Sequence, residues 1–194
     1  MRKLIVISFL TLDGVMQSPG DKAEDTEEGF MYGGWQVPFF QDVDDAMSED
    51  LDKAGALLLG RKTYDIFAAY WPTVGKSDEQ YGAFMNDITK YVASKSMHKT
   101  EWQNSILLEG NVASAVARLK RETGKDIYVF GSGDLSQTLM GQNLIDEYLL
   151  MIHPMVLGEG KRLFRQDGPK QDLELLKSKT TPKGVLALTY KVKS

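Results

Sequence analysis

The 194-residue chain has no cysteine and only two histidines. Without thiols it builds no disulfide framework, no thiolate zinc site and no cysteine nucleophile. His98 and His153 stand far apart. No H-x-x-x-H spacing exists, so a histidine-rich metal centre is excluded. A Ser-His-Asp triad would have to rest on one of these two residues. Long apolar runs are also missing. Stretches such as Tyr148–Met151 are far too short to span a bilayer. The start, Met1-Arg2-Lys3-Leu4-Ile5-Val6-Ile7, is basic and then apolar, as a signal peptide is. Asp13-Gly14 interrupts it early and no small-residue cleavage site follows, which reads as a buried strand. A basic nucleic-acid footprint is absent as well, with a net charge of −4. Residues 1–97 carry 16 acids and 9 bases, whereas residues 98–194 carry 11 acids and 14 bases. Most of the imbalance lies in residues 21–52, with 11 acids and the single base Lys22. The expectation is a soluble, cytoplasmic protein with neither nucleic acid nor membrane as partner.

At about 100–200 residues per domain, residues 1–194 read as one domain. Short apolar runs are punctuated by turn residues. Leu4–Leu10, Ala56–Leu59, Tyr91–Ala93, Ile106–Leu108 and Ile127–Phe130 suit central strands covered on both faces. Helical patterns lie between them. Residues 111–123 offer Asn111 as N-cap, an apolar stripe of Val112, Ala115, Val116 and Leu119, and Gly124 as a stop. Residues 43–54 place Val43, Met47, Leu51 and Ala54 on one face, and residues 134–140 place Leu135 and Leu139 at i, i+4. Strands alternating with helices predict an α/β fold with a largely parallel sheet. Residues 172–179 and 185–192 alternate with period two and predict a C-terminal antiparallel hairpin. The Gly- and acid-rich segment Gln17–Gly34 reads as a mobile loop over a site or at its rim.

Three polar clusters sit at strand ends. Gly131-Ser132-Gly133-Asp134-Leu135 follows a strand and opens a helix, where free N–H groups and the helix dipole favour an anion. It lacks the third glycine of a dinucleotide fingerprint. Leu59-Gly60-Arg61-Lys62-Thr63-Tyr64 offers a guanidinium fork and a hydroxyl. Ala93-Ser94-Lys95-Ser96 joins hydroxyls to a cation. Each alone also reads as an ordinary turn or polar loop. Together they predict a phosphorylated cofactor lying across the strand ends of an open parallel sheet. A fourth stretch, Ser8 to Met16 with Asp13-Gly14 at its turn, could close on a flat ring and exclude water.

These residues, with Asp146-Glu147 and Pro154-Met155-Val156-Leu157-Gly158-Glu159-Gly160-Lys161-Arg162-Leu163-Phe164, carry a resemblance. The chain resembles the dihydrofolate-reductase-like superfamily. Within it, the match is to the reductase (C-terminal) domain of the bacterial bifunctional riboflavin-biosynthesis deaminase-reductase. The resemblance covers nearly the whole chain. It implies a three-layer αβα fold with a central mixed, mostly parallel sheet. It implies NADPH as cofactor and hydride transfer to a planar or ribosylated heterocycle, as in 5-amino-6-(5-phosphoribosylamino)uracil reduction. It also implies a homodimer. On the family pattern Gly60, Arg61 and Thr63 hold phosphates, and Ser94 and Lys95 meet the adenosine end with its 2′-phosphate. Gly131, Ser132, Gly133 and Leu135 cradle the pyrophosphate, and Asp13 and Gly14 lie beside the nicotinamide.

One departure bears on chemistry. Dihydrofolate reductases carry Trp-x-x-Pro-x-Asp, whereas this chain has Trp35-Gln36-Val37-Pro38-Phe39-Phe40, with Phe40 in place of the acid. Asp13 and Asp42 are the remaining catalytic candidates. Asp42 and Asp45 fall opposite the Val43/Met47/Leu51 stripe, so both read as a solvated face, or Asp42 as an N-cap. Trp35, Phe39, Phe40 and Trp71 are candidates for a planar-substrate pocket, with aromatic core filling as the other reading. His153 before Pro154 reads as structural, and Ser132 has no base beside it in sequence. A non-catalytic NADP(H)-binding module, or a dihydrofolate-type reductase with altered substrate, stays open beside the reductase reading. No metal is expected.

Overall fold

A computed structural model describes residues 1–74 and 81–193. Its elements follow the apolar runs. β1 (Leu4–Thr11), β2 (Ala54–Gly60), β3 (Lys90–Ala93), β4 (Ser105–Leu107), β5 (Asp126–Phe130) and β6 (Glu147–His153) are separated by helices, except that β3 runs on to β4 without one. Those helices are α1 (Phe40–Leu51), α2 (Arg61–Val74), α3 (Tyr81–Asp87), α4 (Val112–Arg121) and α5 (Gly133–Gly141). β7 (Leu173–Thr180) and β8 (Leu186–Val192) complete the sheet.

The strand order is β4-β3-β2-β5-β1-β6-β8-β7. β1 runs parallel to β5 and β6, β2 to β3 and β5, and β3 to β4. β8 pairs antiparallel with both β6 and β7, as the C-terminal alternation predicts. Crossover helices cover both faces, which is why β1 reads as a continuous apolar run. Ile5 and Ile7 pack into one layer with Val43, Met47 and Tyr64 from α1 and α2. Leu4, Val6 and Leu10 pack into the other with Val116, Leu119, Leu135 and Leu139 from α4 and α5. The mixed α/β architecture expected from sequence is the observed one.

Local boundaries shift for identifiable reasons. Asn111 caps α4 by accepting from the Ser114 N–H at 3.0 Å, but the helix stops at Arg121 rather than 123. α1 begins three residues earlier than the apolar stripe indicates, because a 3-10 turn over Val37–Phe39, with Pro38 inside it, feeds the chain into the helix. It ends at Leu51, because β2 already starts at Ala54.

Because β1, β2, β3, β5 and β6 are parallel, their C-terminal ends share one edge of the sheet. The three polar clusters and the turn after β1 therefore meet on the same rim. Among the described residues no helix is long and apolar enough to cross a membrane. No group of three or more His, Asp or Glu side chains there is placed to hold a metal.

Candidate functional site

The rim is built around Ser132. Its backbone sits in the left-handed region (φ 54°, ψ 54°), directly after Gly131 at φ 51°. That geometry turns the Ser132 hydroxyl away from its own helix, which it does not cap. The hydroxyl instead accepts from the Gly60 N–H at 2.9 Å and donates to the Thr63 hydroxyl at 2.9 Å. The ends of β2 and β5 are thereby tied together, and the first N–H groups of α5 are left for an external acceptor. The junction leaves little room for a larger side chain at either glycine. A Cβ on Gly60 would stand 3.3 Å from Ser132 Oγ, and one on Gly133 would stand 3.3 Å from Met16 Sδ. Gly60, Thr63, Gly131, Ser132, Gly133 and Leu135 are thus brought together as a concave polar cradle. The Gly60 N–H and the Ser132 hydroxyl are spent within it, so the groups it leaves to an outside acceptor are the Thr63 hydroxyl and the first N–H groups of α5.

Arg61 sits at the start of α2, but its Nε donates to Asp65 Oδ2 at 2.6 Å, one turn along the helix. An incoming phosphate has to share it with that carboxylate. Ser94 follows β3 and accepts from the N–H groups of Ser96 (3.2 Å) and Met97 (3.0 Å), which leaves its hydroxyl proton to donate. The chain beyond is bolted to α2 by the buried Tyr64 hydroxyl, which accepts from Glu101 and Trp102 N–H at 3.0 Å each. A groove of about 650 Å³ lies between them, lined by Arg61, Asp65, Ser96, Met97, His98 and Lys99 among others.

Asp13 is bonded within its own chain. Its Oδ1 accepts from the Thr11 hydroxyl (2.6 Å) and the Leu157 N–H (3.2 Å). Its Oδ2 accepts from the Gly158 N–H (2.9 Å) and faces Arg162 at 3.4 Å. Gly14, at φ 82°, closes the turn that aims this carboxylate. Asp13 is a clasp between the β1 turn and the turn after β6. Burial raises its pKa, but the Thr11 hydroxyl and the Gly158 and Leu157 N–H groups outweigh it and hold the group at about 2.

The folded value lies below the ordinary 3.8, so folding favours the carboxylate. That stabilisation is complete above about pH 4 and disappears as pH falls towards 2. Asp13→Asn is expected to cost about 1.5 kcal/mol at pH 7 and to flatten this acid limb. Urea midpoints of both proteins between pH 2 and 7 measure it; parallel curves would remove Asp13 from the clasp.

Asp42 corrects the helical-wheel reading. It is buried, 6% exposed, and lies inside α1 rather than capping it. Its Oδ2 accepts from the Lys183 N–H at 2.8 Å, and the Thr181 hydroxyl also binds it. These contacts hold its pKa below the ordinary value, the Thr181 hydrogen bond foremost. The side chain pins the turn between β7 and β8 onto α1. Asp45 is exposed, as expected, and accepts from Gln41 at 3.0 Å.

Of the aromatic candidates, Trp35 and Phe39 come together. Their rings stand edge-on to His153 at 5.0 and 5.3 Å. Phe40 is 42% exposed, and the ring contacts of Trp71 are to Phe67 and Tyr70 on α2. His153 is fully buried, and its Nδ1 lies 3.1 and 3.0 Å from the Leu10 and Met151 carbonyls. Burial lowers its pKa, and Nε2 has no hydrogen-bond partner. A neutral ring donating through Nδ1–H fits that environment.

The acidic segment is fastened rather than loose. Gln17 is buried, and its amide donates to Asp25 and to the Glu27 carbonyl. Trp35 Nε1 donates to the Gln17 carbonyl at 2.8 Å. Lys161 reaches Asp25 at 2.5 Å and Glu27 at 2.7 Å, and Lys62 also binds Glu27. Sequence reading names Lys161 and Gln17 only within longer stretches and gives neither this fastening role. The only signal was the position of Lys161 directly after Gly158-Glu159-Gly160.

Comparison with known proteins agrees with this architecture. The chain is 29% identical over 191 residues to the uncharacterized protein YyaP of Bacillus subtilis (strain 168), covering 97% of this chain and 94% of that one. It is 26% identical over 165 residues to the uncharacterized protein YwjB of the same organism, covering 85% and 84%. Among solved structures, it superposes on a candidate riboflavin biosynthesis protein from Shewanella sp. PV-4 with a TM-score of 0.73 at 22% identity, over 99% of each chain. A pyrimidine reductase-like protein from Corynebacterium diphtheriae gives 0.62 at 14% identity, over 100% of this chain and 92% of that one. The profile of the RibD C-terminal domain matches residues 2–187, and the chain belongs to that family.

Proposed function

We propose that this protein is an NADPH-dependent reductase of a small planar or ribosylated heterocycle, related to the reductase step of riboflavin biosynthesis. The observation that carries the reading is the Ser132 junction. One hydroxyl joins Gly60 and Thr63 and leaves the N-terminus of α5 without a side-chain cap. That arrangement suits a diphosphate. Gly131, Ser132, Gly133 and Leu135 would hold it, with Gly60, Arg61 and Thr63 completing the phosphate contacts. Ser94 and Lys95 would meet a 2′-phosphate. When bound, NADPH supplies the hydride. The chain supplies placement and dryness. Asp13 and Gly14 fix the turn beside the ring end, and Trp35 and Phe39 against His153 make an apolar wall that excludes water. The protein would act in the cytoplasm. The homodimer implied by the resemblance would pair through the C-terminal hairpin, whose edge strand β7 exposes Leu175 and Leu176 at about half their surface; sedimentation measures that pairing.

The cofactor test is fluorescence titration with NADPH and NADH. Lys95→Gln is expected to weaken NADPH about tenfold, or about 1.4 kcal/mol, and to leave NADH unchanged. Equal loss for both would move Lys95 off the 2′-phosphate, and no binding of either nucleotide would sink the proposal. A second reading, a nucleotide-binding module without turnover, is favoured by one observation. Phe40 stands where an acid serves dihydrofolate reductases, and nearby Asp42 is consumed by Lys183 and Thr181. Tight NADPH binding with no consumption by the pyrimidine riboside phosphate or by dihydrofolate would select it.

A further inference from the structure

We infer that the protein carries a second small-molecule site, at the edge of the sheet opposite the cofactor rim, and that this site takes an amino-acid-like zwitterion with its ammonium group inwards.

The pairing register lays the floor of the site. Ile5 on β1 lies beside Tyr128 on β5 and Glu147 on β6. Leu149, two residues along β6, lies beside Thr189 on β8, and Thr189 lies beside Lys177 on β7. Side chains two apart on a strand share a face. All of these therefore point to the face that α1 covers, as does Asp126 at the start of β5. The end of α1 supplies Asp50, and the turn after it supplies Lys53. A cavity of about 330 Å³ lies between helix end and floor. It sits at the N-terminal ends of β1, β5 and β6, whereas the Ser132 cradle follows the C-terminal end of β5.

Charge is sorted by depth in this cavity. The carboxylates lie inside, with the Glu147 and Asp50 side chains 11% and 15% exposed. The ammonium groups stand at the mouth, with Lys3 and Lys53 54% and 61% exposed and Lys177 exposed beside them. Lys3 Nζ donates to Glu147 Oε1 at 2.6 Å, Lys53 Nζ to Asp50 Oδ1 at 2.9 Å, and the Lys3 N–H to Asp126 Oδ1 at 2.7 Å. The second oxygen of each carboxylate accepts no hydrogen bond among the described residues.

Acidic side chains alone would not mark a site; Tyr128 does. It is 1% exposed and lines the cavity, and its hydroxyl makes no hydrogen bond among the described residues. Buried polar groups are satisfied as a rule, so this phenol calls for a partner from the cavity side. Burial, and then the charges of Asp50, Asp126 and Glu147, raise its pKa. The phenol therefore stays protonated, in a negative field.

These groups select the ligand. The three carboxylates are not placed to hold a metal. They suit an ammonium group, whose three N–H donors can reach separate acceptors, the Tyr128 oxygen among them. Ile5 and Leu149 along the cavity suit a short alkyl chain. The lysines at the mouth suit a carboxylate. An ω-amino acid meets all three conditions.

The probe is 6-aminohexanoate, titrated into the full chain while backbone amide signals are followed by NMR. Saturable shifts are expected in the millimolar range at Ile5, Tyr128 and Leu149, and none at Gly131 and Ser132. Hexanoate and hexylamine, each lacking one charge, are expected to bind about tenfold more weakly. Tyr128→Phe removes the hydroxyl and keeps the ring, and an unchanged Tm checks that the fold is retained. Its affinity for 6-aminohexanoate is expected to fall about fivefold. Lys53→Gln, at the exposed mouth, is expected to weaken 6-aminohexanoate and to leave hexylamine as it was. Absence of a saturable shift overturns the inference, as do shifts confined to the Ser132 rim, equal affinity for hexanoate, or a Tyr128→Phe protein that binds like the wild type. Hexylamine binding as tightly as the zwitterion, or a Lys53→Gln protein that loses both equally, overturns the choice of a zwitterion. None of these results depends on hydride transfer.

Discussion

Gly160→Ala lowers the stability of the fold by about 3 kcal/mol, far more than one methyl group normally costs. Two effects add. Gly160 sits at φ 115°, where an L-residue is strained by about 1–3 kcal/mol. Its Cβ would also stand 2.7 Å from Val15 Cγ1 and 2.8 Å from Phe30 Cε2. Val15 is fully buried and Phe30 is 5% exposed, and they form one cluster with Trp35. A methyl forced into that cluster adds an overpacking cost of about 1–3 kcal/mol. Urea unfolding measures it, as a lower midpoint at unchanged slope.

Gly158→Ala is the control. Gly158 also has a positive φ, 82°, but a Cβ there meets nothing within 4 Å. Only the conformational strain remains, about 1 kcal/mol. Equal losses for the two variants would mean that the Val15–Phe30–Trp35 cluster gives way easily, and that the turn after β6 is not packed against the acidic segment.

The difference between these two glycines illustrates what could be read from the chain alone. Gly158-Glu159-Gly160 was visible as a turn because glycine punctuates strands. Which glycine carries weight depends on Val15 and Phe30, brought over it by the fold. The same division holds elsewhere. β1 and β5 were legible because continuous apolar runs suit strands covered on both faces. The cradle was legible because Gly131-Ser132-Gly133 and Gly60-Arg61-Lys62-Thr63 each follow such a run. That one hydroxyl joins them was not, since Ser132 and Thr63 are 69 residues apart. Asp42 was read as solvated because a helical wheel records only its own helix. The turn that buries it arrives from residues 181–183, late in the chain. The clasp that Asp13 makes is not legible, because the N–H groups of Leu157 and Gly158 that it accepts from carry no side-chain signal.

Gly60→Val is expected to weaken NADPH binding about 100-fold, or about 2.7 kcal/mol, while lowering Tm by only a few degrees. The Cβ position at Gly60 lies 3.3 Å from Ser132 Oγ, 3.4 Å from Ser132 Cβ and 3.8 Å from Leu135 Cβ. Valine adds two methyl groups beyond that point, so Ser132 has to move. Ser132 is held in its left-handed conformation by the Gly60 N–H and the Thr63 hydroxyl. Once those are broken, nothing offsets the cost of φ 54° at a serine, and the turn relaxes. The first N–H groups of α5 then no longer converge on the cradle, which removes the favourable end of the helix from the diphosphate. NADH should lose as much as NADPH, because both carry the diphosphate, in contrast to the selective loss from Lys95→Gln. Ser132→Gly separates the two contributions. It relieves the backbone strain but deletes the bridging hydroxyl, and about a tenfold loss is expected. If Gly60→Val bound both nucleotides as the wild type does, the diphosphate would have to lie elsewhere on the rim, and the cradle would be a purely structural junction between β2 and β5.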